Sequence, residues 1–247
     1  MFQFFTEYEI NEDTAQITGT DVNHIRNVLR MNPGDRIRLC DAAENMFIAE
    51  ISSVGADAVT VNIIEKEASS NELPGRITLY QALPKGDRMD NIIQKTTELG
   101  VHAIVPVRMQ HCVVKLDEKK AAAKVERYSK IAESAAKQCK RNFIPEVHPV
   151  MDFKAAVSKA VGESRVIVPY EHAGGMTETK KVFESLKSGE DISYFIGPEG
   201  GFADSEIEEL INSGADVISL GSRILRTDTA AITALSLLMY HLEARWD

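Results

Sequence analysis

Two stretches near the C-terminus limit the fold more than any other feature of the chain. Ile192 to Ile196 and Val217 to Leu220 are short, apolar, β-prone runs, and glycine breaks off each of them. Gly197-Pro198-Glu199-Gly200-Gly201-Phe202 follows the first, and Gly221-Ser222-Arg223-Ile224-Leu225-Arg226 follows the second. Abrupt apolar runs of this length predict buried strands. Helical spacing resumes after both turns, from about Asp204 or Ser205 and then through Ala231, Leu235, Leu238 and Leu242. Two successive strand-turn-helix units require parallel strands. The turns at the C-terminal ends of such strands share one edge of the sheet, where open α/β sheets bind ligands.

Upstream the same alternation continues. Ile77 to Leu83 reads as a strand, and Met89, Ile92, Ile93, Thr96 and Leu99 mark a helix face that stops at Gly100. Val101 to Val107 predicts another strand, and Asp117 predicts the cap of a long helix reaching about Arg141. Val166 to Val168 is again a strand, followed by a helix from about Thr177 to Leu186. Strands alternating with helices predict a mostly parallel α/β sheet.

The first seventy or so residues have a different period. Arg36 to Cys40, Phe47 to Ile51 and Val59 to Ile63 alternate apolar and polar positions, as half-buried antiparallel strands do. One helix interrupts, with Val22, Ile25, Val28 and Leu29 at helical spacing, Asp21 or Asn23 as its cap, and Arg26 and Arg30 on one exposed face. A small β-barrel carrying a basic helix is expected. Lys66 to Gly75 is polar and ends in Pro-Gly, which makes it the linker and sets domains at residues 1–72 and 73–247.

Composition narrows the function. With 44% hydrophobic residues among 247 the chain can bury a substantial core. No apolar stretch approaches the roughly 18 residues of a membrane span, and the N-terminus has no signal-peptide pattern, so a cytoplasmic protein is expected. Cys40, Cys112 and Cys139 lie far apart, and no His/Cys cluster has metal-ligand spacing, so no metal is expected. The net charge of −9 argues mildly against nucleic acid, yet the charge is uneven. Lys119, Lys120, Lys124, Arg127, Lys130, Lys137, Lys140 and Arg141 face only Glu126 and Glu133, and Arg26 to Arg38 holds four arginines against Asp35.

The glycine turns carry the chemistry. Neither matches a dinucleotide or P-loop pattern, which disfavours a nucleotide-dependent dehydrogenase. Three glycines in five residues let backbone approach a ligand closely. Leu220, Ile224 and Leu225 place apolar side chains on a loop, which suits a pocket wall. Arg226 then stands at a helix start, where the dipole favours negative charge. Such a local conflict marks either a functional cation or one paired with Asp228 or Glu199.

Four segments together resemble a known family: Leu83-Pro84-Lys85-Gly86-Asp87-Arg88-Met89-Asp90, Gln94 to Val101, Ile196 to Gly201, and Leu220 to Ala230. Their order is similar to that of the RsmE-type 16S rRNA uridine-N3 methyltransferases of the SPOUT superfamily, over nearly the whole chain. His24 to Arg30 resembles that family's PUA-like N-terminal domain, and Glu133 to Arg141 its mid-chain helix. The resemblance implies a trefoil-knotted α/β domain behind a PUA-like barrel, a homodimer, and S-adenosylmethionine as cofactor. It implies a cofactor site built from Val168, Pro169, Tyr170, Ile196, Gly197, Pro198, Glu199, Gly200, Gly201, Leu220, Gly221, Ile224, Leu225, Thr229 and Ala230. Arg226 is the implied stabiliser of the uracil anion and Glu199 the second catalytic candidate, as base. Arg26, Arg30, Lys85, Arg88, Lys140 and Arg141 are the implied contacts to 16S rRNA in the small ribosomal subunit. One departure is Gln3, where the family usually has arginine before Phe4-Phe5, so the N-terminal run is not counted among the RNA contacts. Ribose 2′-O-methylation on the same fold and a non-catalytic RNA-binding protein are the alternative functions.

Overall fold

The computed structural model describes residues 1–68 and 70–246. They form two compact units, one from Met1–Glu72 with Ala136–Ile144, the other from Leu73–Ala135 with Pro145–Asp247. Ser69, within the expected linker, lies outside the described residues.

The first unit comprises β1 (Gln3–Phe5), β2 (Thr14–Thr18), α1 (Thr20–Asn23), a π-helical turn over His24–Val28, β3 (Arg36–Cys40), β4 (Met46–Val54) and β5 (Ala58–Glu67). Its strands form one curled sheet in the order β1-β3-β4-β5-β2. The expected antiparallel pairing holds for β2 to β5, whereas β1 runs parallel to β3, pairing Phe4 with Leu39. The long connection between β1 and β3 leaves either direction open, so no short-range signal fixes it. Alternate residues of all five strands, including Phe4, Ile17, Ile37, Phe47 and Val61, close one core with Val22 and Ile25. Asp41 is buried beside it, and its carboxylate accepts N–H bonds from Ile10 (3.1 Å), Ala43 (2.9 Å) and Asn45 (2.9 Å). Burial raises the Asp41 carboxyl, but these donors pull it down by more, below its ordinary value.

The helix of this unit differs from the sequence reading. It begins at Thr20 after Gly19, and neither Asp21 nor Asn23 caps it. Asp21 instead accepts both hydrogen bonds of Lys137 (2.8 and 2.9 Å), and Asn23 accepts one from Asn27 (2.6 Å). The π-helical turn ends the helix at Val28, and Arg30 lies beyond it with φ 54°. Arg26 and Arg30 are both exposed but do not share a helix face.

The second unit is a seven-stranded sheet, all of whose pairings are parallel. In chain order it contains β6 (Ile77–Ala82), α2 (Arg88–Glu98), β7 (Ala103–Arg108), α3 (Glu118–Cys139), β8 (Glu146–Val147), β9 (Met151–Asp152), α4 (Phe153–Glu163), β10 (Arg165–Pro169), α5 (Met176–Glu184), β11 (Ile192–Ile196), α6 (Asp204–Asn212), β12 (Asp216–Ile218) and α7 (Thr227–Trp246). The last turn of α3, from Ala136, belongs to the first unit. Sheet order is β12-β10-β11-β6-β7-β8, with β9 also on β7. The central strands are nearly continuous apolar runs because both faces are covered. On one face Tyr80, Val105, Val168 and Phe195 meet Phe153, Val157, Ile207 and Leu210 of α4 and α6. Tyr80 and Phe195 stack there at 4.5 Å, an arrangement worth about 0.5–1.5 kcal/mol beyond burial. Gln81 and Tyr194 alternate onto the opposite face, where α7 lies: Gln81 reaches Thr227, and the Tyr194 hydroxyl donates to the Ala231 carbonyl at 3.4 Å. Among the described residues no helix is long and apolar enough to cross a membrane.

Candidate active site

Parallel pairing puts the C-terminal ends of β6, β7, β10, β11 and β12 on one edge. From β6 the chain moves outward to β7 and β8, then crosses to β10 on the other side, returns to fill β11 between β10 and β6, and ends outside β10 at β12, so connections leave β6 and β11 in opposite directions. Adjacent loops diverge at such a switch point and leave a crevice. The glycine turn after β11 lies at this position. The loop after β12 and the segment after β10 flank it on one side, and the loops after β6 and β7 on the other.

The turn after β11 is held from the β6–β7 side. The Glu199 carboxylate accepts the Lys85 N–H at 3.0 Å and forms an ion pair with Arg88. Burial raises the Glu199 carboxyl, while the Lys85 N–H, its own N–H and Arg88 lower it by more, below the usual carboxylate range. A carboxylate so held is a weak proton acceptor. His111 Nδ1 lies 3.2 Å from the carbonyl oxygens of both Gly200 and Gly201. A carbonyl only accepts, so Nδ1 carries the proton. Buried Glu206 receives the N–H groups of Gln110 (2.7 Å) and Ala203 (2.9 Å), which fixes the start of α6. Gly201 is required by its φ of 72°. A Cβ at Gly197 would stand 3.1 Å from the Phe202 ring, and one at Gly200 3.1 Å from His111 Cβ. These two glycines therefore admit protein neighbours, where the sequence suggested close approach of a ligand.

The loop after β12 is far less constrained. The Ser219 N–H donates to the Thr179 hydroxyl at 2.8 Å, and Gly221 turns the chain at φ 104°. Beyond it no backbone hydrogen bond joins Ser222, Arg223, Ile224 or Leu225 to the rest of the unit, among the described residues. Ile224 is 85% exposed, so no wall within this chain covers it. Arg226 is also exposed and forms no ion pair among the described residues. The alternative pairing with Asp228 or Glu199 is absent, Glu199 being engaged by Arg88. One residue on, Thr227 is buried, and its hydroxyl donates to the Gly197 carbonyl at 2.7 Å and accepts from Gln81 Nε2 at 3.0 Å. Gln81 Oε1 and Asp228 Oδ1 are buried at this edge with no partner among the described residues.

The structure thus gathers most of the residues named for a cofactor, with differences in how they can act. Pro169 ends β10, and Tyr170, Gly197 to Gly201, Leu220, Gly221, Leu225 and Ala230 stand on the three neighbouring loops or the first turn of α7, all of them partly or fully accessible except Pro198. Exposed Thr229 also stands in that turn. Val168 and Ile196 are 0% and 3% exposed, their side chains committed to the core, so only their backbone can meet a ligand. Among the RNA candidates, Lys85, Lys140, Arg26 and Arg30 are exposed.

Arg141 overturns its expectation. It is 3% exposed, its guanidinium pairs with Glu72, and it stacks on Phe143 at 4.5 Å. Its carbonyl accepts from buried Gln3 at 2.6 Å, which gives Gln3 a structural role. The basic run of α3 is largely neutralised as well. Lys120, Lys130 and Lys137 pair with Asp117, Glu126 and Asp21, and Arg127 grips both oxygens of Asp90. Sequence reading missed Gln81, Thr227 and His111, whose partners lie 146 residues (Gln81 to Thr227) and 89 residues (His111 to Gly200) away.

Comparison with known proteins follows the same division. Residues 71–239 match a family described as RNA methyltransferase domain, and residues 17–64 one described as RNA methyltransferase PUA domain. The chain is 40% identical over 242 residues to ribosomal RNA small subunit methyltransferase E of Bacillus subtilis, covering 96% of this chain and 94% of that protein. It is 30% identical to the Synechocystis protein of the same name over 236 residues, 96% of this chain and 76% of that one. A crystal structure of the Neisseria gonorrhoeae ribosomal RNA small subunit methyltransferase E, bound to S-adenosyl methionine, superposes with a TM-score of 0.84 at 31% identity, covering 96% of both chains.

Proposed function

Because the chain belongs to the ribosomal RNA small subunit methyltransferase E family, we propose that it transfers a methyl group from S-adenosylmethionine to N3 of a uridine in 16S rRNA, uridine 1498. It is an S-adenosylmethionine-dependent RNA methyltransferase with a PUA-like N-terminal domain and a SPOUT-type α/β domain. The carrying observation is an unpaired arginine, Arg226, at the mouth of a switch-point crevice.

The residues present fit the cofactor. The free N–H and C=O groups of Ser222 to Leu225 can read the edge of a purine, and accessible Leu220, Ile224 and Leu225 supply apolar surface beside them. Half-buried Asp228, in the first turn of α7, has an Oδ1 without a donor among the described residues, which an amine or hydroxyl can provide. When bound, the sulfonium supplies an activated methyl group.

The chain's own residues do the rest. Uridine N3 must lose a weakly acidic proton before it can attack, and Arg226 presents its fork of donors to the uracil oxygens on which that charge spreads. No acid competes for the guanidinium, so its full charge is available. Glu199, paired and held ionised, fixes the loop rather than removing the proton. Lys85 and Arg26, Arg30 and Lys140 contact phosphates, with the unit built on residues 1–72 acting as the RNA-binding domain. The C-terminal domain of residues 73–247 is proposed to carry the trefoil knot and to pair with a second copy, covering Ile224.

Incubating assembled 30S particles that lack the modification with labelled S-adenosylmethionine should yield N3-methyluridine in digested nucleosides. Label found only in ribose 2′-O-methyl nucleosides, or no incorporation into either particles or naked 16S rRNA, sinks this reading.

A further inference from the structure

The contacts of Thr227 and Gln81 go beyond holding a helix end. Gln81 is 0% exposed and Thr227 6% exposed. The Gln81 amide is oriented unambiguously: Nε2 donates to the Ala82 carbonyl at 2.9 Å, and a flipped amide would set two acceptors against each other there. Nε2 therefore also donates to the Thr227 oxygen, and the Thr227 proton goes to the Gly197 carbonyl. The result is a one-directional chain of hydrogen bonds from β6, through the first residue of α7, to the first residue of the glycine turn. Chains of this kind strengthen cooperatively in a water-free interior.

Each end of the chain meets the proposed site. Thr227 adjoins Arg226, and Gly197 opens the turn that carries Glu199 to Gly201. The loop that leads into Arg226 has no backbone hydrogen bonds of its own from Ser222 to Leu225 among the described residues. Nothing on that side fixes the arginine, so its place is set from the α7 side.

The buried amide also has a cost, since Gln81 Oε1 lacks a partner. A side chain with a buried, unsatisfied acceptor is a poor choice for stability alone, and an apolar residue of the same length would fill the site without that penalty. We infer that Gln81 and Thr227 are positioning residues, a buried relay that locks Arg226 to the glycine turn so that the arginine and the cofactor loop hold one geometry. The inference rests on the methyltransferase reading only for its kinetic consequence.

The test uses the full chain with Thr227→Val, which keeps the shape and removes the hydroxyl, Thr227→Ser, which restores it, and Gln81→Met. Hydrogen exchange of the backbone amides is read without any ligand. In Thr227→Val, the hydrogen-bonded amides of Gly201, in the glycine turn, and Ala230, bonded to the Arg226 carbonyl, should exchange about tenfold faster together, and in Thr227→Ser at the wild-type rate. In the methyl-transfer assay Thr227→Val should lose about a hundredfold in kcat while KM for S-adenosylmethionine changes much less. Gln81→Met should lose kcat with an unchanged or higher melting temperature. Unchanged exchange in Thr227→Val overturns the relay, as does a Thr227→Ser variant as damaged as Thr227→Val, or a Gln81→Met loss that follows melting temperature. If exchange responds as stated while the wild type transfers no methyl group to RNA, the relay stands and the functional reading fails.

Discussion

Arg141 and Arg226 each stand just outside a helix end, the first after the C-terminus of α3 and the second before the N-terminus of α7. Their surroundings are opposite. Arg141 is 3% exposed, paired with Glu72 through several hydrogen bonds, and stacked on an aromatic ring. Arg226 is exposed, has no counter-ion among the described residues, and sits where the helix dipole repels it. The first arginine directs its Nε and Nη2 donors at one carboxylate of the protein. The second has no acceptor for its donors among the described residues. The difference separates a cation that holds a unit together from one kept available for a substrate.

Removing Arg141 should have the largest effect. Arg141→Ala leaves the Glu72 carboxylate, only 14% exposed, without its cation, and breaking a pair this deeply buried costs about 3–5 kcal/mol. The Asn142 N–H that also bonds Glu72 at 2.8 Å only partly offsets the loss. Urea unfolding should show a corresponding shift of the midpoint, and a loss under about 1 kcal/mol would place Arg141 with the surface cations instead.

Arg226→Ala should do the reverse. An exposed, unpaired side chain contributes little to folding, so stability should stay within about 0.5 kcal/mol. The barrier to methyl transfer should rise by about 2.7–4 kcal/mol, a loss of roughly a hundred- to a thousandfold in kcat, as for removal of one charge-stabilising donor. A variant that keeps activity within tenfold, or that loses it only by unfolding, would erase the contrast between the two arginines.

Local sequence cannot tell these residues apart, and the reason is distance along the chain. Period and turn chemistry were enough for the parallel sheet, the cap at Asp117, the start of α6 and the gathering of three loops on one edge, because each is decided by neighbours within a few residues. Arg141 reads as the end of a basic run because its partner Glu72 lies 69 residues upstream. Gln81 reads as an ordinary strand residue because Thr227 lies 146 residues downstream. The parallel direction of β1 and the π-helical turn that separates Arg26 from Arg30 are likewise settled by packing. The conflict of Arg226 with the helix dipole, a local signal, left it either functional or paired with Asp228 or Glu199, and only the fold shows that no ion pair forms there among the described residues.

The smallest expected effect concerns Glu199, which shares features of both arginines' surroundings, being paired like Arg141 yet placed in the site like Arg226. In Glu199→Gln the amide oxygen can still accept the Lys85 N–H, so only the ion pair with Arg88 is lost. That pair is partly exposed, with side chains 25% and 37% accessible, and is worth about 0.2–1 kcal/mol. The folded state lowers the Glu199 carboxyl below its ordinary value of 4.5, so the unfolded chain binds the proton more readily. Its contribution is therefore complete above that ordinary value and disappears as pH falls through the folded one. Unfolding curves of wild type and Glu199→Gln should differ at neutral pH and converge under acid conditions. Activity near neutrality should fall only modestly, because a carboxylate held this ionised is not the group that takes the N3 proton. A loss of activity as large as that of Arg226→Ala, with its stability difference intact, would instead give Glu199 a direct part in proton removal.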